Sequence, residues 1–256
     1  MHPSPPVAPF EAALANQVWR ADALASEGAQ TLSTGMPALD AALPGGGWPV
    51  GVLVEVLQAR MQSPVWQLLA PALAQAVRQE AGPVVLVGAP YPVFTPGLAA
   101  RGLPPERLLR VQADPPAARM WAAEQALRCT EVVAVLAWLP HALPADLRRL
   151  QLAAQRHRRL LFVLRPEAAR AQASPARLRL WLPAGDAPEV HVLKRRGPPL
   201  AAPVRVPQQP QVLTHLLRTR TPRPLPMPAP RLSPSAHPHL LSPDRPHGLD
   251  RAATVT

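Results

Sequence analysis

Residues 44–66 read PGGGWPVGVLVEVLQARMQSPVW, and the fold turns on how this stretch is interpreted. The glycine run Gly45–Gly47 makes a tight turn, where glycine tolerates φ angles closed to other residues. The apolar run 52–57, VLVEVL, then reads as a buried strand. Trp48, between turn and strand, reads as a packing residue. A phosphate loop would follow such a strand. It needs glycines for backbone N–H groups to approach phosphate, and a lysine for the β and γ phosphates. Residues 58–69, QARMQSPVWQLL, contain neither glycine nor lysine. Pro64 also removes a backbone donor. The frame predicts a nucleotide site, and the loop lacks the groups to grip a nucleotide.

Working outward, apolar runs alternate with helical patterns. Strands are expected at 83–88, 107–111, 131–139 and 160–165, and helices at 65–79, 97–103, 116–128 and 144–158. Short apolar strands alternating with helices predict an α/β fold with a mostly parallel, helix-covered sheet. The alternating segments 177–182 and 189–195 lie close in sequence around PAGDAP, which predicts an antiparallel hairpin at one sheet edge. Upstream, Thr34 is a candidate helix cap and Pro37 a first helical residue. Residues 11–25 carry Leu14, Val18, Ala21 and Ala25 at helical spacing. Three parts follow: an N-terminal amphipathic helix in 1–30, a core over 31–200, and a basic proline-rich tail over 201–256.

The chain holds 256 residues, 48% of them hydrophobic, enough for one sizeable core. Its 37 prolines predict that part of it stays unpacked. The tail has too little apolar pattern to offset its ordering entropy and is expected to be disordered. Its apolar island 211–217, with Val212, Leu213, Leu216 and Leu217, is expected to form a helix on a partner. The formal charge of +11 favours an acidic partner, either nucleic acid or an acidic protein surface. The single cysteine, Cys129, makes neither a disulfide framework nor a zinc site and reads as structural. The N-terminus lacks a cationic start and a long apolar run, so no signal peptide is expected. The longest apolar run, VVAVLAWL, falls well short of the roughly 20 residues that span a bilayer. A cytoplasmic protein without membrane contact is expected.

The stretch 32–57, LSTGMPALDAALPGGGWPVGVLVEVL, resembles the beginning of the RecA core. VWRADAL, LPGGGWP, WAAEQALR, VLAWLP, LRRLQLAA and SPARLRLWL occur in that order over about residues 16–200. They are similar to the ImuA family of translesion-synthesis-associated proteins, itself RecA-like and SulA-like. Against the RecA pattern three parts are missing. The phosphate loop is degenerate, the strand 131–139 ends in Trp138 and Leu139 instead of a magnesium-binding aspartate, and APYP (89–92) stands where a catalytic glutamate belongs. Lys194, the only lysine, lies far along the chain. The resemblance therefore implies a pseudo-ATPase without cofactor or metal: a RecA-like adaptor in damage-inducible translesion synthesis. Its implied partners are a Y-family-like polymerase homologue of the ImuB type, an error-prone replicative-type polymerase subunit and the RecA filament. A SulA-type division inhibitor is the alternative, and an active recombination ATPase a more remote one.

Candidate partner-binding residues follow. Val18 and Trp19 lie on the N-terminal helix. Arg148, Arg149, Arg156 and Arg159 fall within one quadrant at about 100° per residue. They are either a solvated face or a site for phosphate or acidic protein. Lys194, Arg195 and Arg196 end the last strand. By resemblance, Lys194 and Arg196 match lysines that reach a neighbouring subunit's nucleotide in RecA filaments. PHALP (140–144) and 165–175 stand where RecA has its DNA-binding loops, yet are short and lack the glycines and aromatics of a stacking platform. Direct DNA contact is left open. Glu55 reads as an edge or hydrogen-bonded structural glutamate, and Glu124 as part of a solvated helix face.

Overall fold

The computed structural model describes residues 30–60, 65–184, 189–200 and 202–206. The N-terminal helix with Val18 and Trp19, the segment 61–64, and the tail anchors Val212, Leu213, Leu216 and Leu217 lie outside these residues. A two-stranded antiparallel ribbon comes first, β1 (Thr31–Leu32) against β2 (Trp48–Pro49). Helix α1 (Pro37–Ala42) lies between them. An eight-stranded sheet follows, built from β3 (Leu53–Gln58), β4 (Val84–Val87), β5 (Leu108–Val111), β6 (Ala134–Trp138), β7 (Leu160–Pro166), β8 (Leu178–Leu182), β9 (Glu189–Lys194) and β10 (Val204–Arg205). Helices α2 (Val65–Gln79), α3 (Thr95–Ala99), α4 (Pro116–Arg128) and α5 (Pro144–His157) connect the strands.

The strand order is β10-β9-β8-β3-β7-β6-β4-β5. The pairings from β5 across to β8 are parallel, and β8–β9 and β9–β10 are antiparallel. This is the α/β sheet with an antiparallel edge that the alternation of runs predicts. The ordered sheet continues past the boundary placed at residue 200. Val204 pairs with Val190, and Val204 and Val206 are buried. Two valines are too short a pattern to stand out from the proline-rich sequence around them.

Alternate residues of the central strands β3, β4, β6 and β7 serve two cores, as a pleated sheet requires. Val54 and Val56 of β3 join the core beneath α2, with Leu136, Phe162 and Leu180. Leu53, Val135, Leu161 and Val163 pack on the other face, with Met120, Ala123 and Leu127 of α4 and Leu147, Leu150 and Ala154 of α5. Proline opens α1, α4 and α5, a position where its missing N–H costs nothing and its φ is already helical.

The glycine turn is architectural. Gly45 has φ +77°, and a Cβ there would press on the Thr31 methyl. Thr31 Oγ1 donates to the Gly45 carbonyl at 2.7 Å. Gly47 is needed for a different reason from the free φ expected of it: a Cβ would collide with the Leu32 backbone carbonyl across the ribbon. Trp48 is fully buried and meets Phe162 edge to face, with centroids 5.3 Å apart. Packing is thus its role.

Thr34 is not the helix cap. Met36 occupies that place, and Thr34 Oγ1 accepts from the Met36 N–H at 3.1 Å. Asp40 accepts from Ser33 Oγ at 2.6 Å and from the Thr34 N–H at 2.7 Å. Burial pushes the Asp40 carboxyl up, but these hydrogen bonds outweigh it and hold the group below its ordinary value.

Glu55 sits on the central strand β3, not on an edge, and is fully buried. Arg165 Nη1 of β7 donates to Oε1 at 2.7 Å, and Arg179 Nε of β8 to Oε2 at 2.6 Å. Arg165 Nη2 also reaches the Ala142 carbonyl at 2.9 Å and Gln172 Oε1 at 2.7 Å. Arg179 Nη2 donates to the Ala169 carbonyl at 2.9 Å. One carboxylate thereby joins three adjacent strands to the 3-10 turn Glu167–Ala171 and to the segment after β6.

Glu55→Leu strands the buried Arg165 guanidinium and the largely buried one of Arg179, and should cost about 3–5 kcal/mol in urea unfolding. Glu55→Leu with Arg165→Met and Arg179→Leu should cost less than Glu55→Leu alone. An equal or larger loss in the triple variant would count against an ionic cause. Asp40 has a lowered carboxyl pKa in the fold, so its contribution is complete above the unfolded value of about 4 and drains away as pH falls through the folded one. Asp40→Asn should therefore flatten the stability–pH curve on its acid side, read as Tm across a pH series.

Candidate functional site

In open α/β sheets, ligands bind outside the carboxyl ends of the parallel strands. At that rim β3 ends at Gln58, ahead of α2. Trp66 in the first turn of α2 packs on Trp138, the last residue of β6, with centroids 6.4 Å apart. These indoles meet where a P-loop protein would bring its phosphate-gripping helix and its metal-binding strand end together. No cluster of His, Cys, Asp or Glu suited to a metal ion occurs among the described residues.

Further along the rim, two cavities lie side by side. The larger, of about 490 Å3, runs between the N-terminal ends of α4 and α5. Met120 and Leu139 lie at its base, and Trp121 and Leu143 flank it while remaining 63% and 64% exposed. The smaller, of about 220 Å3, lies over the ends of β4, β5 and β6 and is lined by Arg110, Gln112 and Asp114. Arg119 and Pro140 belong to both. Arg119 Nε donates to the Ala113 carbonyl at 2.6 Å, and Arg110 Nη2 to the Ala89 carbonyl at 3.2 Å. Neutral acceptors thus hold both guanidiniums in place without cancelling their charge. Asp146 accepts from the Leu143 N–H at 3.0 Å and starts α5.

Of the groove residues, the sequence singles out Arg149, the strand end Trp138–Leu139 and PHALP, the last as a shortened DNA loop; Arg110, Arg119, Met120 and Trp121 are not singled out. PHALP forms a groove wall instead. An apolar side chain left in solvent has the same letter as a buried one, so Trp121 carries no sequence signal of its own.

The arginine quadrant is only partly realised. Helix α5 ends at His157, and Arg158 takes the left-handed conformation at φ 51°. That turn carries Arg159 off the helix face, where it pairs with Glu80 at 3.2 Å and donates to the Thr130 carbonyl. Arg149 pairs with Glu124 at 2.5 Å, and Arg128 meets the other oxygen of the same carboxylate. Glu124 is therefore a buried clamp between α4 and α5, not a solvated residue. Arg148 and Arg156 are exposed and form no ion pair among the described residues.

At the far edge, Lys194 Nζ donates to the Ser174 carbonyl at 3.2 Å, and Arg195 reaches the carbonyls of Pro198 and Ala42. Arg195 and Arg196 face the glycine turn across a small apolar recess shared with Pro44 and Gly47. The basic strand end is thus remote from the α4–α5 groove in the strand order. Cys129 is exposed at the end of α4. No helix among the described residues is long and apolar enough to cross a membrane.

Residues 51–160 match the family described as Cell division inhibitor SulA. Two proteins of Caulobacter vibrioides, from strains NA1000 / CB15N and ATCC 19089 / CIP 103742 / CB 15, each named Protein ImuA, are 35% identical over 153 residues. The match covers 56% of this chain and 62% of each relative, less than two thirds of their length. The family resemblance carried by the sequence motifs is found by comparison as well: this chain is similar to the ImuA and SulA-like proteins.

Proposed function

We propose that this chain is a non-catalytic RecA-like adaptor in damage-inducible, error-prone translesion synthesis. It brings together a Y-family-like polymerase homologue of the ImuB type and an error-prone replicative-type polymerase subunit. The RecA filament is a further partner through the basic strand end at Lys194 and Arg196. Similarity to the ImuA proteins supports the process. One observation carries the non-catalytic part: Trp66 and Trp138 pack together where a phosphate grip and a magnesium ligand would have to meet. The loss of glycine and lysine from residues 58–66 supports the same reading, as does the engagement of Lys194 with Ser174 at the opposite side of the sheet.

The SulA match over 51–160 favours a second reading, a division inhibitor that binds the tubulin-like division protein. Affinity capture of the full chain from DNA-damaged cells separates the two. The polymerase homologue and the replicative-type subunit should be recovered, and the division protein should not. Recovery of the division protein alone would replace the first reading with the second. The purified chain should neither hydrolyse ATP nor bind it tightly. Magnesium-dependent turnover that disappears on changing residues 58–66 would overturn the non-catalytic assignment.

A further inference from the structure

We propose that the groove between α4 and α5, together with the smaller cleft beside it, binds a peptide segment in which an apolar side chain, Phe or Leu, neighbours a carboxylate. This rests on the adaptor reading and gives it a surface. The apolar half is a concave space of about 490 Å3, roomy enough for an anchor side chain and its neighbours, floored by Met120 and Leu139. Trp121 and Leu143 remain largely in solvent beside it. Apolar surface gathered around a concavity is where a peptide anchor gains most from leaving water. The polar half begins at Arg119, whose side chain lines both cavities.

Arg119 and Arg110 each spend one donor on a backbone carbonyl. They are held in place and keep further N–H groups for a carboxylate, the acceptor to which a guanidinium is matched. The opposing charges are few. Asp114 is the one carboxylate lining the smaller cleft, and Asp146 in the larger is engaged at the start of α5. Arg149 shares Glu124 with Arg128, so that cluster keeps one net positive charge beside the groove.

The other occupants fit less well. A second copy would bring this cationic rim against a chain that carries +11 overall, which opposes association. Single-stranded nucleic acid binds along repeated aromatic stacking platforms, whereas this groove offers one exposed indole, Trp121, and one imidazole, His141, among aliphatic, proline and charged side chains.

The test uses an array of short peptides pairing Phe, Leu or Ala with Asp, Asn or Lys at neighbouring positions, probed with the full chain. Phe–Asp and Leu–Asp peptides should bind best. Trp121→Ala should weaken them about tenfold or more. Arg119→Gln should remove the preference for Asp over Asn while sparing that for Phe over Ala. Both variants should keep the wild-type Tm, because Trp121 is exposed and Arg119 lies at a rim. A destabilised Arg119→Gln would be replaced by Arg110→Gln, with the same expected loss of preference.

The proposal is overturned if the wild type does not prefer Asp over Asn, or if the variants bind as the wild type does. It is also overturned if a single-stranded oligonucleotide binds wild type but not Trp121→Ala and displaces the peptides, or if Trp121→Ala dissociates a dimer in sedimentation. A failed polymerase capture with a successful array would sink the adaptor reading alone. A failed array with a successful capture would sink this surface alone.

Discussion

The Glu55 carboxylate, held between Arg165 and Arg179, is the constraint on which the rest of the molecule depends. Taking these ions out of water costs several kcal/mol each, and the cost is recovered only where geometry is good and every remaining donor finds an acceptor. Glu55 meets the first condition with contacts of 2.7 and 2.6 Å. Two carbonyls and Gln172 go far toward the second, although Arg165 Nε has no partner. Two guanidiniums against one carboxylate leave a net positive charge within the fold, spread over the backbone carbonyls of Ala142 and Ala169. The Ala142 carbonyl, outside any helix or strand, is thereby held by the ion pair, while that of Ala169 also accepts the Gln172 N–H of the 3-10 turn.

That fixing reaches the rim. Ala142 belongs to the segment between β6 and α5 and lines the larger groove. Its neighbour Leu143 starts α5 with the help of Asp146. From the other side, Glu124 ties α4 to α5 through Arg149. The groove is thus positioned by two carboxylates, Glu55 beneath the sheet face and Glu124 between the helices. Each works through an arginine supplied by a distant part of the chain.

This explains how much of the structure was legible in the sequence. The strands stand out as apolar runs such as PVVLVG and EVVAVLAWL, and Pro37 marks the start of α1, because burial and helix initiation are local properties. What depends on a partner far along the chain was not legible. Glu124 looks solvated on a helix of weak amphipathic pattern until Arg149, 25 residues away, is brought beside it. Arg159 fits a helical wheel until Arg158 turns the chain out of the helix. Glu55 could be judged structural from its apolar neighbours, but Arg165 and Arg179, which make it so, stand out from none of the other arginines.

The relation between the frame and the proposed groove has a physical logic. In a nucleotide-binding sheet the rim is kept open and polar, because phosphate must be wrapped in N–H donors and its metal held in oxygen ligands. Once those groups are gone, an open polar crevice is a liability, with unpaired backbone groups and nothing to satisfy them. Two indoles at Trp66 and Trp138 remove that liability by filling the space with apolar surface. The same change leaves the rim less polar around β6, where Leu139 and Pro140 continue directly into the α4–α5 groove. A surface of indole, leucine and two positioned arginines is, on the proposed reading, better matched to a protein side chain beside a carboxylate than to a nucleotide. On the proposed adaptor reading, the absent nucleotide grip and the α4–α5 groove are two aspects of one rim, closed by indoles from α2 and β6 and continued by Leu139 and Pro140.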